Sequence, residues 1–442
     1  MSALRCACAC AFALALAACS LPAPRPSPPA ASPAPEQPPV ATVPPPSAPV
    51  VAVPAADRSP WQRLRERFEL DGCNYRPEVQ RRAREYTRSP RHFAASWRNA
   101  MPFLLLVLDE IERRDLPGEL AMLPYVESGY RPLPAKGNVP AGMWQLMPAT
   151  ARGQGLVVRG DHDDSLDAIA STRAALDLLE RYERVFEDWR LADMAFNSGE
   201  FRVRKLVESL GGGTLGAEEL ARLPLSATTH QHLDRMLALS CIVADPARHG
   251  VVLPEPDEHD TLQAIELEAS MDLRFAARLA GLPVDDVRRW NGAYRRDRMA
   301  ADRPHRLLLP GSAVARFESN AGNVPPALWA DWREQRAGRS GAISGWAGQL
   351  GIPVGVLALA NALDPEASVA PSTRLLLPGK EAHSIDDAQA APARDHVVVA
   401  GDTLSGIARR HSIPLRELRR LNPRANGTLR IGQRLNLGAG AD

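Results

Sequence analysis

One acidic side chain stands alone in the stretch from Leu120 to Thr150, and it is the residue best placed to do chemistry. Leu120-Ala121-Met122-Leu123-Pro124-Tyr125-Val126 leads to Glu127-Ser128-Gly129. Gly129 falls where a helix C-cap is expected, so Glu127 is read into the last turn of a mostly apolar helix. The negative end of the helix dipole and poor solvation both disfavour a carboxylate there. A Glu held toward its neutral form can donate a proton near neutral pH, as a general acid must. Met143, Trp144 and Gln145 follow a Pro- and Gly-containing loop, and Pro148 then restarts a helix. An amide and a large aromatic at that place suit the wall of a sugar-binding groove. The plainer reading is a Glu that closes a buried helix end.

The elements around this stretch are helical. Trp61, Leu64 and Phe68, and again Met101 to Ile111, recur at three to four residues. Arg81, Arg82 and Arg84 read as a solvated face, and Pro117 is placed to open the Glu127 helix. A further amphipathic helix is expected over Asp163 to Arg184, with Ile169, Leu176 and Leu179 as its buried stripe. Asp161, Asp163, Asp164 and Asp167 cluster near its start, where capping is their default role. In Ala195-Phe196-Asn197-Ser198-Gly199-Glu200, Asn197 offers both a donor and an acceptor, and Gly199 permits close backbone approach.

Three ordered pieces, Glu127-Ser128-Gly129-Tyr130, Gly142 to Thr150 and Ala195 to Glu200, together resemble the lytic transglycosylase signature of Glu-Ser, Gly-Leu/Met-x-Gln-x-x-Pro-x-Thr and Ala-Tyr-Asn-x-Gly. Within that group the chain is similar to the membrane-bound lytic murein transglycosylase D family, over about Trp61 to Pro254. The resemblance implies a mainly α fold: a lysozyme-like transglycosylase domain followed by small α+β LysM modules. It implies that Glu127 first protonates the glycosidic oxygen between N-acetylmuramic acid and N-acetylglucosamine. The substrate's acetamido group would stabilise the cationic centre. Glu127 would then take the proton of the muramic acid 6-hydroxyl as that oxygen attacks, leaving a 1,6-anhydro sugar. Ser128, Met143, Gln145, Phe196 and Asn197 would bind and orient the sugar, with no metal and no cofactor. The chain departs from the family at several places. Lys136 stands where Ser is common, Phe196 where Tyr is usual, and Phe201 where a second Gly is usual. Thr228-Thr229 and His232 stand where the family has Glu-Thr and a following Tyr. Altered sugar contacts are implied there.

Two rivals stay open at this stage. A lysozyme-type hydrolase needs a second carboxylate, for which Asp163, Asp164 and Glu200 are the candidates. A wall-binding lipoprotein with a decayed catalytic domain is motivated by the departures just named.

At 442 residues the chain is too long for one core. Its net charge of +1 implies no polyanionic partner, so nucleic acid is not expected. Residues 1–18 read as a signal peptide ending Leu16-Ala17-Ala18-Cys19, which resembles a lipobox and implies lipidation of Cys19. An ordinary signal peptide is the alternative. Ser20 after the lipidated Cys favours the periplasmic face of the outer membrane. Residues 19–57 read as a Pro-rich spacer reaching toward the cell wall. Cys73 and Cys241 remain after cleavage and lipidation; in an oxidising compartment they pair or stay as two part-buried thiols.

The helical transglycosylase domain is expected over 58–254, its core at 115–210. The C-terminal third repeats one pattern. Pro283, Pro353 and Pro414 are each followed eight residues later by Asn291, Asn361 and Asn422, and then by Arg306-Leu307, Arg374-Leu375 and Arg434-Leu435. Repetition of this length means one small module used three times: 258–311, 329–379 and 395–438. The last carries Gly401-Asp402-Thr403-Leu404 and looks like a LysM domain, with Thr403 or Asp402 as helix cap and Ile407 facing the core. The two earlier copies lack that opening and read as divergent. Residues 381–394 link the second to the third. Expected partners are peptidoglycan strands and, through the lipid, a membrane.

Overall fold

The computed structural model describes residues 58–211, 215–300, 302–379, 395–399, 402–411, 413–422, 425, 429–430 and 433–437. The signal segment, Cys19, the 19–57 spacer and the 381–394 linker lie outside the described residues.

The first part is all helix. Its elements are α1 (Pro60–Arg65), α2 (Pro77–Tyr86), α3 (Pro90–Arg113), α4 (Leu123–Ser128), α5 (Pro148–Gly153), α6 (Ala168–Phe186), α7 (Trp189–Ser198), α8 (Glu200–Ser209), α9 (Ala217–Ala221) and α10 (Ala227–Ala244). Along α3, Phe93, Trp97, Met101, Leu104, Leu108 and Ile111 recur at three to four residues and are buried, the one-sided stripe that drives such a helix onto a core. Trp97 stacks on Tyr125 of α4, with ring centres 4.3 Å apart. The two ends of the helical part are tied together. Trp61 Nε1 donates to the Pro254 carbonyl at 2.7 Å, and a Cys73–Cys241 disulfide joins the turn Gly72–Asn74 to α10.

Two expected helices differ in their starts. Pro117 caps a 3-10 turn, Gly118–Met122, and α4 begins only at Leu123 with Pro124 in its first turn. Likewise Asp164–Leu166 is a 3-10 turn, and α6 begins at Ala168. The Asp167 carboxylate accepts from the N–H groups of Ile169 and Ala170. A side chain that satisfies those donors starts the helix at that residue rather than upstream. Leu176 and Leu179 are buried as expected, whereas Ile169 is only half-buried.

The C-terminal third contains three strand–helix–helix–strand units. The first has β1 (Leu262–Leu267), α11 (Leu273–Ala280), α12 (Val284–Trp290) and β2 (His305–Pro310), followed by α13 (Gly311–Ala321). The second has β3 (Trp332–Arg336), β4 (Gly341–Ala342), α14 (Ile343–Leu350), α15 (Val354–Ala360), β5 (Ser368–Val369) and β6 (Arg374–Pro378). The third has β7 (Asp395–Val397), α16 (Leu404–Arg410), α17 (Leu415–Leu421) and β8 (Arg434–Asn436). In each unit the outer strands pair antiparallel.

The repeated Asn explains itself here. Its amide donates to, and its carbonyl accepts from, the backbone of one residue of the closing strand. These are Asn291 with Leu308, Asn361 with Leu376 and Asn422 with Asn436, all at 2.7–2.9 Å. Such a two-way bond needs both halves of a carboxamide, which Asp cannot supply. In the third unit Thr403 Oγ1 caps α16 by accepting from Gly406 N–H, and Ile407 is fully buried.

Candidate active site

Glu127 sits one residue before the end of α4, and Gly129 closes the helix in the left-handed region at φ 63°, a conformation glycine adopts without a Cβ penalty. The Glu127 side chain is 17% exposed. Ser128 Oγ donates to the Met143 carbonyl at 2.9 Å and accepts from the Arg131 N–H at 3.0 Å. The first motif is thereby fastened to the second.

The second motif is a tight turn. Ala141 and Leu146 exchange backbone bonds in both directions at 3.1 Å, and Gln145 takes φ 48° between them. Gly142 has φ 78°, and a Cβ there would lie 1.8 Å from the Ser165 carbonyl oxygen. Gly142→Ala is therefore expected to cost roughly 3 kcal/mol or more, since backbone strain and a backbone clash add. Denaturant unfolding against wild type measures it, and a loss under about 1 kcal/mol would contradict this account of the turn.

The predicted site residues divide into two groups. Gln145, Phe196 and Asn197 are half-buried. Gln145 Nε2 donates to the Gly142 carbonyl at 2.6 Å, leaving its oxygen for another donor. Phe196 packs edge-on to Trp144 at 6.4 Å. Asn197 lies one helical turn beyond Asp193 on α7, so the two share a face. In contrast Ser128 and Met143 are 5% and 2% exposed. They hold the wall from inside, with Ser128 Oγ bonded to the Met143 carbonyl. Trp144 is fully buried and donates from Nε1 to Thr172 Oγ1, so it too is core rather than groove surface. Lys136 and Thr228 are exposed, and Phe201 is the most open large aromatic of the α7–α8 corner.

Sequence reasoning missed two residues. His232 of α10 reaches Glu127 Oε1 through Nε2 at 2.9 Å and Asp193 Oδ1 through Nδ1 at 2.9 Å. By sequence alone His232 stands only as a replacement of the family's tyrosine. The available signal is an acidic residue, Asp193, four positions before Asn197 and among the apolar buried residues of α7. Burial works against charge on His232, but Asp193 and then Glu127 outweigh it and push its pKa up to about 10. The environment of Glu127 is thus more than poor solvation at a helix end: an imidazole whose pKa is pushed up is bonded to one of its oxygens.

The Asp cluster is also more than a set of caps. Asp163 and Asp167 do cap their turns, and three arginines of the first strand–helix–helix–strand unit meet the cluster. Arg295 bonds Asp163 at 3.3 Å, Arg303 bonds Asp164 at 3.0 Å and Arg306 bonds Asp167 at 2.6 Å. Asp164 also accepts from the Val157 N–H and meets His162. Arg295 additionally donates to the Ala135 carbonyl in the loop after Glu127. Asp163 and Asp164 are 2% and 6% exposed, so neither is open to activate a water. Glu200 meets Arg181 and Arg204, each at 3.5 Å. A hydrolytic second carboxylate finds no support in these three.

Comparison with known proteins finds related sequences along the chain. The Transglycosylase SLT domain model matches residues 110–212. The model for the lytic transglycosylase MltD LysM-like domain matches 261–325, and the LysM domain model matches 396–438. Membrane-bound lytic murein transglycosylase D of Escherichia coli K12 is 28% identical over 394 residues, 87% of this chain and 86% of that protein. The same protein of E. coli O6:H1 matches equally. A solved inactive mutant of lytic transglycosylase Slt from Pseudomonas aeruginosa is 20% identical, covering 33% of this chain and 24% of its own. Its TM-score of 0.28 is too low to bear on the fold.

Proposed function

We propose that the chain is a lytic transglycosylase of the membrane-bound lytic murein transglycosylase D type, and that it cleaves the β-1,4 bond between N-acetylmuramic acid and N-acetylglucosamine with formation of 1,6-anhydro-N-acetylmuramic acid. The observation that carries this reading is Glu127: a single partly exposed carboxyl at a helix end, beside the Gly142–Gln145 turn and joined through His232 to the helix that bears Asn197. Glu127 gives its proton to the glycosidic oxygen as the C1–O bond breaks. The carboxylate then takes the proton of the 6-hydroxyl as O6 bonds to C1. One proton leaves Glu127 and one returns, so no water is consumed. Gln145, Asn197 and Phe196 bind and orient the glycan. Residues 58–254 form the catalytic domain. The units at 258–311 and 329–379 are divergent LysM-like spacers, and 395–438 holds the cell wall. Lipidated Cys19 anchors the chain at the periplasmic face of the outer membrane, with 19–57 as the tether.

Mass spectrometry of muropeptides released from purified sacculi tests the reaction. Anhydro-ended products support it. Reducing-ended products would make water the acceptor and overturn it, as would a release of no products at all.

The third unit has its own small core, comprising Val398, Ile407, Ala408, Leu418, Ala425, Leu435 and Leu437. Deleting 395–442 is therefore expected to leave the catalytic part folded. It should weaken binding to sacculi at least about tenfold through loss of a second point of attachment. A cosedimentation assay showing unchanged binding would count against the wall-holding role.

A further inference from the structure

The Asp193–His232 pair has no task in the reaction just described, and its position gives it one. We propose that His232 is a positioning residue for Glu127, anchored by Asp193, holding the acid by one oxygen and neutralising it whenever it has released its proton. This rests on Glu127 being the proton donor of the proposed reaction.

The argument starts from Asp193, which is 0% exposed. Its Oδ1 meets His232 Nδ1, and its Oδ2 has no hydrogen-bond partner among the described residues. A carboxylate so deeply buried with a single bond is costly unless that bond comes from a cation. Asp193 therefore requires Nδ1 to carry a proton, and it favours the doubly protonated ring. Nε2–H then donates to Glu127 Oε1 at 2.9 Å. Oε1 is thereby fixed, and Oε2, to which no described residue is bonded, is the oxygen left for substrate.

The proton sequence follows without any change at His232. Glu127 Oε2–H protonates the glycosidic oxygen, and the carboxylate left behind lies against an imidazolium already in place. That carboxylate then recovers a proton from the 6-hydroxyl. His232 keeps both ring protons throughout, so its contribution is to stabilise the charge that develops on Glu127.

The charged groups facing His232 are few. Asp193 comes from α7 and Glu127 from α4. On its own helix Asp234 turns to Arg76 at 2.6 Å, and His230 turns to the Leu223 carbonyl. Glu119, on the neighbouring turn, accepts from the backbone of Glu69 and Leu70. The buried residues of α2 are Val79 and Ala83, neither of them charged.

The test uses the full chain on purified sacculi, with a histidine titration beside it. His232→Gln removes the cation but keeps an amide donor. It should lower kcat roughly 10- to 100-fold with KM within about threefold, less than the roughly 10²- to 10³-fold that loss of a whole preorganised donor costs, because the amide still donates. The alkaline limb of kcat/KM should also move to higher pH, because the cation beside the acid is gone. His232→Tyr, which restores the family's side chain, should move the limb the same way. A merely structural role would lower the folded fraction and leave the pH profile where it was, and that result overturns the proposal.

Nitrogen NMR of His232 stands apart from activity and from the folding of the His232 variants. Both ring nitrogens should be protonated at pH 8 in the wild type, and the midpoint should fall in Glu127→Gln. A neutral ring at pH 8 overturns the proposal. Should wild type release no products, the function fails while the NMR result still judges the pair.

Discussion

Glu127→Gln is expected to lower product release from sacculi by about a thousandfold or more, with the fold intact. General acid–base catalysis by one group contributes typically 10²- to 10⁴-fold. In the proposed reaction one carboxyl serves both the protonation and the deprotonation step, so its loss falls toward the upper part of that range. The variant should remain folded because the Gln carbonyl can still accept from His232 Nε2–H, in the place of the 2.9 Å bond, and α4 keeps its Gly129 cap. Initial rates of anhydro-muropeptide release, with thermal unfolding of both proteins, measure the effect. A loss below about tenfold in a folded variant would mean that another group supplies the proton. The buried Asp163 and Asp164, each bonded to an arginine, are poor substitutes.

Reducing the Cys73–Cys241 disulfide should destabilise the catalytic part by up to about 5 kcal/mol. The bridge spans 168 residues of sequence, and the loss in the unfolded chain's entropy grows with the loop it closes. For a unit of this size that corresponds to a fall in melting temperature of roughly 10–20 °C. The bridge also bears on the site, since it fastens α10, which carries His232, to the turn Gly72–Asn74. Calorimetry of the oxidised protein, the reduced protein and the Cys73→Ala/Cys241→Ala variant provides the comparison. A difference under about 1 kcal/mol would mean that packing of α10 against α2 and α7 holds this region without help.

What could be read from the amino acids alone was local. Glu127 followed by Gly129 marks a helix end because the left-handed cap needs glycine within two residues of the last turn. Pro148 marks a helix start for the same kind of short-range reason. Repetition revealed the three C-terminal units, because each reuses one Asn to clamp its closing strand. The family resemblance suggests the role proposed for Glu127, since its three motifs are short strings in fixed order.

What the sequence could not carry was which distant side chains meet. His232 lies 105 residues from Glu127 and 39 from Asp193, and no periodicity links them. Only the packing of α4, α7 and α10 makes them one constellation. Ser128, Met143 and Trp144 belong to the site's motifs, yet the tertiary fold turns them inward, because burial depends on what other helices cover. The Asp161–Asp167 cluster looked like caps until the arginines at 295, 303 and 306 were folded against it. Cys73 and Cys241 could be paired or free by composition. Their pairing was decided by the fold that brings Gly72–Asn74 onto α10.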